Sequence, residues 1–130
     1  MIILVYNEDE MKAFGARLGA LFSGGEVIEL IGDVGAGKTT LAKGIASGLA
    51  VEEAVQSPSF TISRVYSGRN GLVLAHYDFY RLTDAGIMAE ELRETISDHK
   101  TVTIIEWGGV VEGVMPTDRL TIRIASPTVN

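Results

Sequence analysis

The chain has 130 residues, 46% hydrophobic and 22% charged, the balance of an ordinary globule that buries about two-thirds of its unfolded surface in one domain. It contains no cysteine, which excludes a disulfide framework and any thiolate metal site. Its net charge of −6 opposes tight, direct binding to a nucleic-acid backbone. Against that trend, a local basic patch forms if Arg64, Arg69 and Arg81 cluster in space. No apolar run approaches the roughly 20 residues of a membrane helix. The opening Met-Ile-Ile-Leu-Val-Tyr lacks the basic start of a signal peptide, so a cytoplasmic location without membrane contact is expected.

In chain order, Met1 to Tyr6 reads as a short apolar strand. Asn7 then caps a helix, with Glu10 in the capping-box position. Met11, Phe14, Leu18, Leu21 and Phe22 follow at helical spacing until Ser23-Gly24-Gly25 stops the helix. Val27 to Ile31 is a strand. Glu29 is out of place in it, since a buried parallel strand is normally apolar throughout; either that face is wet or Glu29 has a partner.

The strand runs into Gly32-Asp33-Val34-Gly35-Ala36-Gly37-Lys38-Thr39, followed by Thr40. This fits G-x-x-x-x-G-K-[ST] without a mismatch. Glycines let backbone N–H groups converge on a polyphosphate, Lys38 adds a full charge near the outer phosphates, and the Thr39 hydroxyl suits Mg²⁺. The helix continuing through Leu41, Ala42, Ile45, Ala46 and Leu49 adds its positive N-terminal end. Residues 33–40 are therefore the expected nucleotide-binding segment.

Beyond a connector at 51–56, Pro58 forces Ser57 into an extended conformation. Phe60 to Tyr66 alternates like a strand, Ser67 to Gly71 forms a hairpin turn, and Leu72 to Asp78 returns as the partner strand. Leu72, Leu74, His76 and Asp78 share one face of it. His76 reads more simply as a packing histidine than as a catalyst. Met88, Leu92, Thr95 or Ile96, and His99 mark another helix, with Glu90, Glu91, Glu94 and Asp98 turned to water. Thr101 to Glu106 is a strand closing on an acid, and Leu120 to Ile124 is a last strand whose alternation exposes one face.

Phosphate chemistry needs a carboxylate to hold Mg²⁺ or orient water. Glu106 and Asp78 both end apolar strands, where ligands gather in α/β sheets. Asp78 has bland alternatives, capping the next segment or pairing with Arg81. Ser57, Ser59 and Thr61 are either turn hydroxyls or a switch segment that senses the γ-phosphate.

Four blocks now stand in order: Gly-Asp-Val-Gly-Ala-Gly-Lys-Thr-Thr-Leu at 32–41, Ser-Pro-Ser-Phe-Thr-Ile at 57–62, His-Tyr-Asp-Phe-Tyr-Arg-Leu at 76–82 and Ile-Ile-Glu-Trp at 104–107. Together they resemble the TsaE (YjeE) family, small P-loop ATPases of bacterial tRNA threonylcarbamoyladenosine biosynthesis, over residues 1–125. The resemblance implies a three-layer α/β, P-loop NTPase-like fold with a mixed, largely parallel sheet flanked by helices, as a single domain over 1–130. It implies ATP or ADP and Mg²⁺ as cofactors, with Lys38 gripping the outer phosphates, Thr39 and Glu106 holding the metal, and Asp78 as a second catalytic acid. It further implies action with a TsaB–TsaD complex, in which TsaD transfers the threonylcarbamoyl group, so that tRNA is contacted only indirectly. The family's usual Ser-Pro-Thr is Ser57-Pro58-Ser59 here, and Gly109 stands where it often has an acid. Two other readings share the loop. A small-molecule kinase lacks room for an acceptor pocket and lid, and a nucleotide-gated binding module would bind ATP without turning it over. A GTPase is disfavoured because none of Lys12, Lys38, Lys43 and Lys100 begins the K-x-D half of a guanine-reading motif.

Overall fold

The computed structural model describes residues 2–32, 37–56, 58, 62–84 and 86–125. Helix α1 (Glu8–Leu21) begins where the Asn7 side chain accepts the Glu10 amide at 2.8 Å, and Glu10 in turn accepts the amide of Tyr6 at 3.0 Å. That reciprocal pair is the capping box in slightly shifted form. The expected strand ahead of it does not form: residues 2–6 are irregular, with Ile2, Leu4 and Tyr6 exposed. The apolar run is strand-like in composition, but no sheet edge is paired with it and its last amide is drawn into the helix cap.

Five strands form one sheet in the order β2-β3-β4-β1-β5. They are β1 (Val27–Ile31), β2 (Ser63–Ser67), β3 (Val73–Asp78), β4 (Thr101–Glu106) and β5 (Leu120–Arg123). β1, β3, β4 and β5 run parallel, and β2 joins antiparallel to β3 through the expected hairpin. Helix α2 (Lys38–Gly48) follows β1, and α3 (Gly86–Ser97) joins β3 to β4. The chain travels from β1 out to β3 and then back to β4. Crossovers of one hand therefore lie on opposite faces of the sheet.

Side-chain alternation divides the core accordingly. Ile28, Leu30, Leu74, Val102 and Ile104 pack with Leu41, Ile45 and Leu49 of α2, while Ala75, Tyr77 and Ile105 pack with Leu92 of α3. Glu90, Glu91, Glu94 and Asp98 are exposed, as expected. His99 lies beyond the end of α3 rather than on its apolar stripe. β5 is more exposed than its alternation implied, because Leu120 at its start is also open to solvent and only Ile122 and Ile124 join the core. It is an edge strand, paired on one side only.

Helix α1 packs closely against α2 through glycines, and its Met11, Phe14 and Leu18 join the core on that face of the sheet. A Cβ on Gly19 would lie 2.2 Å from the Ile45 carbonyl oxygen, and one on Gly48 2.2 Å from that of Ala16. Arg69 closes the same interface, donating to the carbonyls of Gly48, Ala20 and Phe22 near the C-terminal ends of both helices. Those are acceptors that a helix end leaves unpaired. The suggested patch of Arg64, Arg69 and Arg81 is accordingly not one surface. Arg69 is spent on helix ends beside the hairpin, whereas Arg64 stands in register with His76 near the other end of β3.

In an open helix, Gly to Ala gains about 1 kcal/mol. At Gly19 the added methyl meets backbone that cannot move without parting the helices, and overpacking of this kind costs about 3 kcal/mol. Gly19→Ala should therefore lose about 2 kcal/mol net, read as a melting temperature lower by about 8 °C. Gly113→Ala, where nothing lies within 4 Å, should stay within about 0.5 kcal/mol of the parent.

Candidate nucleotide site

The C-terminal ends of β1, β3 and β4 lie side by side, with Leu30 paired to Glu106 and Glu106 to Asp78. The residue parity that sends Leu74 and Val102 toward α2 sends His76, Asp78 and Glu106 the same way. All three are buried, at 0%, 6% and 3% exposure. Gly37 opens α2 with φ 103°, a left-handed conformation that glycine adopts freely. Lys38 is the first helical residue and is itself buried, with its ammonium 3.8 Å from Oε1 of Glu106.

Glu106 is held from both sides. Its Oε2 lies 2.6 Å from Nε2 of His76, while Oε1 faces Lys38. The lysine also lies over the Trp107 indole, 4.1 Å from the ring centroid, and Tyr80 packs tilted against that indole at 4.9 Å. Two backbone strains flank this edge. Trp107 has φ 57°, and Ile62, whose carbonyl accepts the Asp78 amide at 2.8 Å, has φ 68°. Bulky and β-branched residues avoid that region, at about 1–3 kcal/mol each, and such strain gathers at functional sites.

Asp78 accepts the amide of Tyr80 at 2.9 Å through Oδ1, so the turn-capping role is real and coexists with its place beside Glu106. Glu29 has a partner rather than a wet face. It accepts from Arg119 Nε at 2.8 Å, and Arg119 also bonds the Pro116 carbonyl and Glu112. The hydrogen bond to Glu29 is the main cause holding the Arg119 guanidinium above its ordinary pKa. This cluster lies on the α3 side of β1, away from Lys38.

Lys38, Glu106 and Asp78, named from the sequence, thus meet at one sheet edge, and Gly37, Thr39 and Thr40 sit at the start of the helix that brings Lys38 there. Asp33, Val34, Gly35 and Ala36 lie outside the described residues, as do Ser57, Ser59, Phe60 and Thr61. Two contacts were not legible beforehand. His76 is bonded to the acid rather than merely packed, and Trp107 stacks on the loop lysine. The only hint was the shared face of His76 and Asp78, next to a strand that also closes on an acid.

A strand entering G-x-x-x-x-G-K-T, a helix starting on that lysine and a neighbouring strand delivering a buried acid to it place the chain in the P-loop class of α/β proteins. Comparison with known proteins narrows the class. The family model described as threonylcarbamoyl adenosine biosynthesis protein TsaE matches residues 5–130, and the chain belongs to the TsaE family. The tRNA threonylcarbamoyladenosine biosynthesis protein TsaE of Streptomyces coelicolor is 43% identical over 116 residues, covering 88% of this chain and 78% of that one. The Bacillus subtilis TsaE is 40% identical over 119 residues, covering 91% and 73%. The crystal structure of Bacillus subtilis YdiB matches with a TM-score of 0.72 at 34% identity, over 92% of this chain and 72% of that chain. The mixed, largely parallel three-layer fold agrees with it. Among the described residues no helix is long and apolar enough to cross a membrane.

Trp107 is the single tryptophan, so its emission reports on the cation stacked over it. Lys38→Met removes that cation and should change the intensity or position of the emission. Identical spectra for the variant and the parent would show that the stack is not kept in solution.

Proposed function

We propose that this chain is a Mg²⁺-dependent ATP-binding and hydrolysing subunit that acts with TsaB and TsaD in threonylcarbamoyladenosine modification of tRNA. The observation that carries the reading is the buried Lys38–Glu106 pair at the mouth of the phosphate-binding motif. Lysine and acid there are the two charges that a triphosphate and its metal require.

The donor set suits Mg²⁺. That ion takes one or two carboxylates and completes its shell with water and phosphate oxygens. Glu106 would supply such a carboxylate and Thr39, in the first turn of α2, a hydroxyl, while Asp78 ends the adjacent strand. Among the described residues no group of three or more His, Cys, Asp or Glu could form an all-protein cage. Bound there, Mg²⁺ would neutralise charge developing on the outer phosphates. The chain's own residues do the rest. Gly37 and the first turn of α2 present amides to the phosphates, and Lys38 leaves Glu106 and the indole for the stronger anion. Asp78, on the same face, would orient an attacking water. The net charge of −6 and the exposed acids of α3 support a division in which the partner, not this subunit, carries tRNA.

Lys38→Ala should weaken ATP and ADP binding at least tenfold in calorimetry, since it removes the charge that faces the phosphates; unchanged affinity would refute the site. Glu106→Ala should keep nucleotide binding within a few-fold yet lose Mg²⁺-dependent turnover by about a hundredfold or more. Turnover at the parent rate would move the metal carboxylate elsewhere. Adding the TsaB–TsaD complex from the same source should raise the ATPase rate. Binding without any turnover in its presence would favour a nucleotide-gated docking module instead.

A further inference from the structure

The imidazole of His76 is wholly buried, with Nε2 lying 2.6 Å from Oε2 of Glu106. Among the described residues its other nitrogen, Nδ1, has no hydrogen-bond partner. We infer that His76 is a positioning residue for the metal carboxylate: its Nε2–H pins Oε2 of Glu106, so that Oε1 is the oxygen presented to the cation side of the site. The inference rests on Glu106 being that carboxylate.

The hydrogen-bond inventory decides where the proton sits. A carboxylate only accepts, so Nε2 must donate. The unpaired position is then the bare lone pair of Nδ1, a smaller penalty than an orphaned buried N–H. A glutamate at the end of a strand has three side-chain torsions to fix. Packing restrains the first two; the terminal one is broad and sets which oxygen points where. The bond from β3 fixes that last torsion across the sheet. His76 is two residues before Asp78 on the same face, and Asp78 is the register partner of Glu106. The contact is therefore built into strand pairing and does not depend on a loop. It also explains the geometry on the other side. Oε1 is left 3.8 Å from Lys38, too long for a direct hydrogen bond, so the lysine can be withdrawn while the carboxylate stays in place. Supporting bonds of this kind, when removed, typically lower metal affinity 10–100-fold.

The test compares His76→Leu, which fills the space without a donor, with His76→Gln, whose amide restores an N–H. Nucleotide affinity is measured by calorimetry across a Mg²⁺ titration, with Glu106→Gln in parallel. His76→Leu should bind ATP without Mg²⁺ within a few-fold of the parent, yet need about 10–100 times more Mg²⁺ for the metal-dependent gain. His76→Gln should recover most of that gain. If His76→Leu titrates with Mg²⁺ like the parent while Glu106→Gln is shifted, His76 is packing only and the inference fails alone. If Glu106→Gln itself is unshifted, the metal assignment fails and takes the inference with it. A second readout needs neither metal nor nucleotide, and it decides the matter should His76→Leu not fold. Long-range ¹H–¹⁵N spectra of the free protein should show the His76 ring as one tautomer protonated at Nε2, perturbed by Glu106→Gln. A ring exchanging between tautomers, or one indifferent to Glu106→Gln, overturns it.

Discussion

One buried carboxylate governs this structure. Glu106 is 3% exposed, and an ionised acid so placed costs several kcal/mol unless neighbours compensate it. The compensation comes from opposite sides, a lysine on the first turn of α2 and an imidazole on β3. Lys38 is buried too, and the contact at 3.8 Å is an ion pair without a direct hydrogen bond; the indole face supplies part of its remaining stabilisation. Neither partner can be removed without stranding a charge, yet the two are not locked together. That combination agrees with the proposed function, in which the lysine changes partners on phosphate binding.

The rest of the fold keeps these groups within reach of one another. Strand pairing sets Asp78 beside Glu106 and Glu106 beside Leu30, so the acids are fixed to the mouth of the motif by backbone hydrogen bonds. Helix α2 carries the lysine, and its position is set by a glycine-lined seam with α1 that tolerates no added methyl. Arg69 ties the far ends of both helices to the hairpin. Against this rigid frame, the strained backbones of Ile62 and Trp107 stand at the edge where the site opens.

Much of this was legible in the sequence because the signals were local. The glycine-lysine motif, the capped helix at Asn7, the hairpin around Gly68 and the acid-terminated strand at 101–106 each depend on neighbours within a few residues. What escaped depends on distant ones. Glu29 and Arg119 meet 90 residues apart, and nothing near Glu29 announces its partner. The apolar run at 2–6 has the composition of a strand, but a strand needs an edge, and composition does not say whether one is available. His76 read as packing because a histidine on an apolar face usually is; only the register of β3 against β4 turns it toward Glu106. Arg69 looked like part of a basic patch, and it is a clamp on helix carbonyls.

The proposed function requires the ammonium of Lys38 and the carboxylate of Glu106 to share one Mg²⁺-bound triphosphate. A crystal structure of the chain with Mg²⁺ and a non-hydrolysable ATP analogue tests it most directly. Lys38 should then lie off the Trp107 ring and on the outer phosphates, with the metal held from the Glu106 side, directly or through one water. A triphosphate bound away from this sheet edge, or a metal with no link to Glu106, would contradict it.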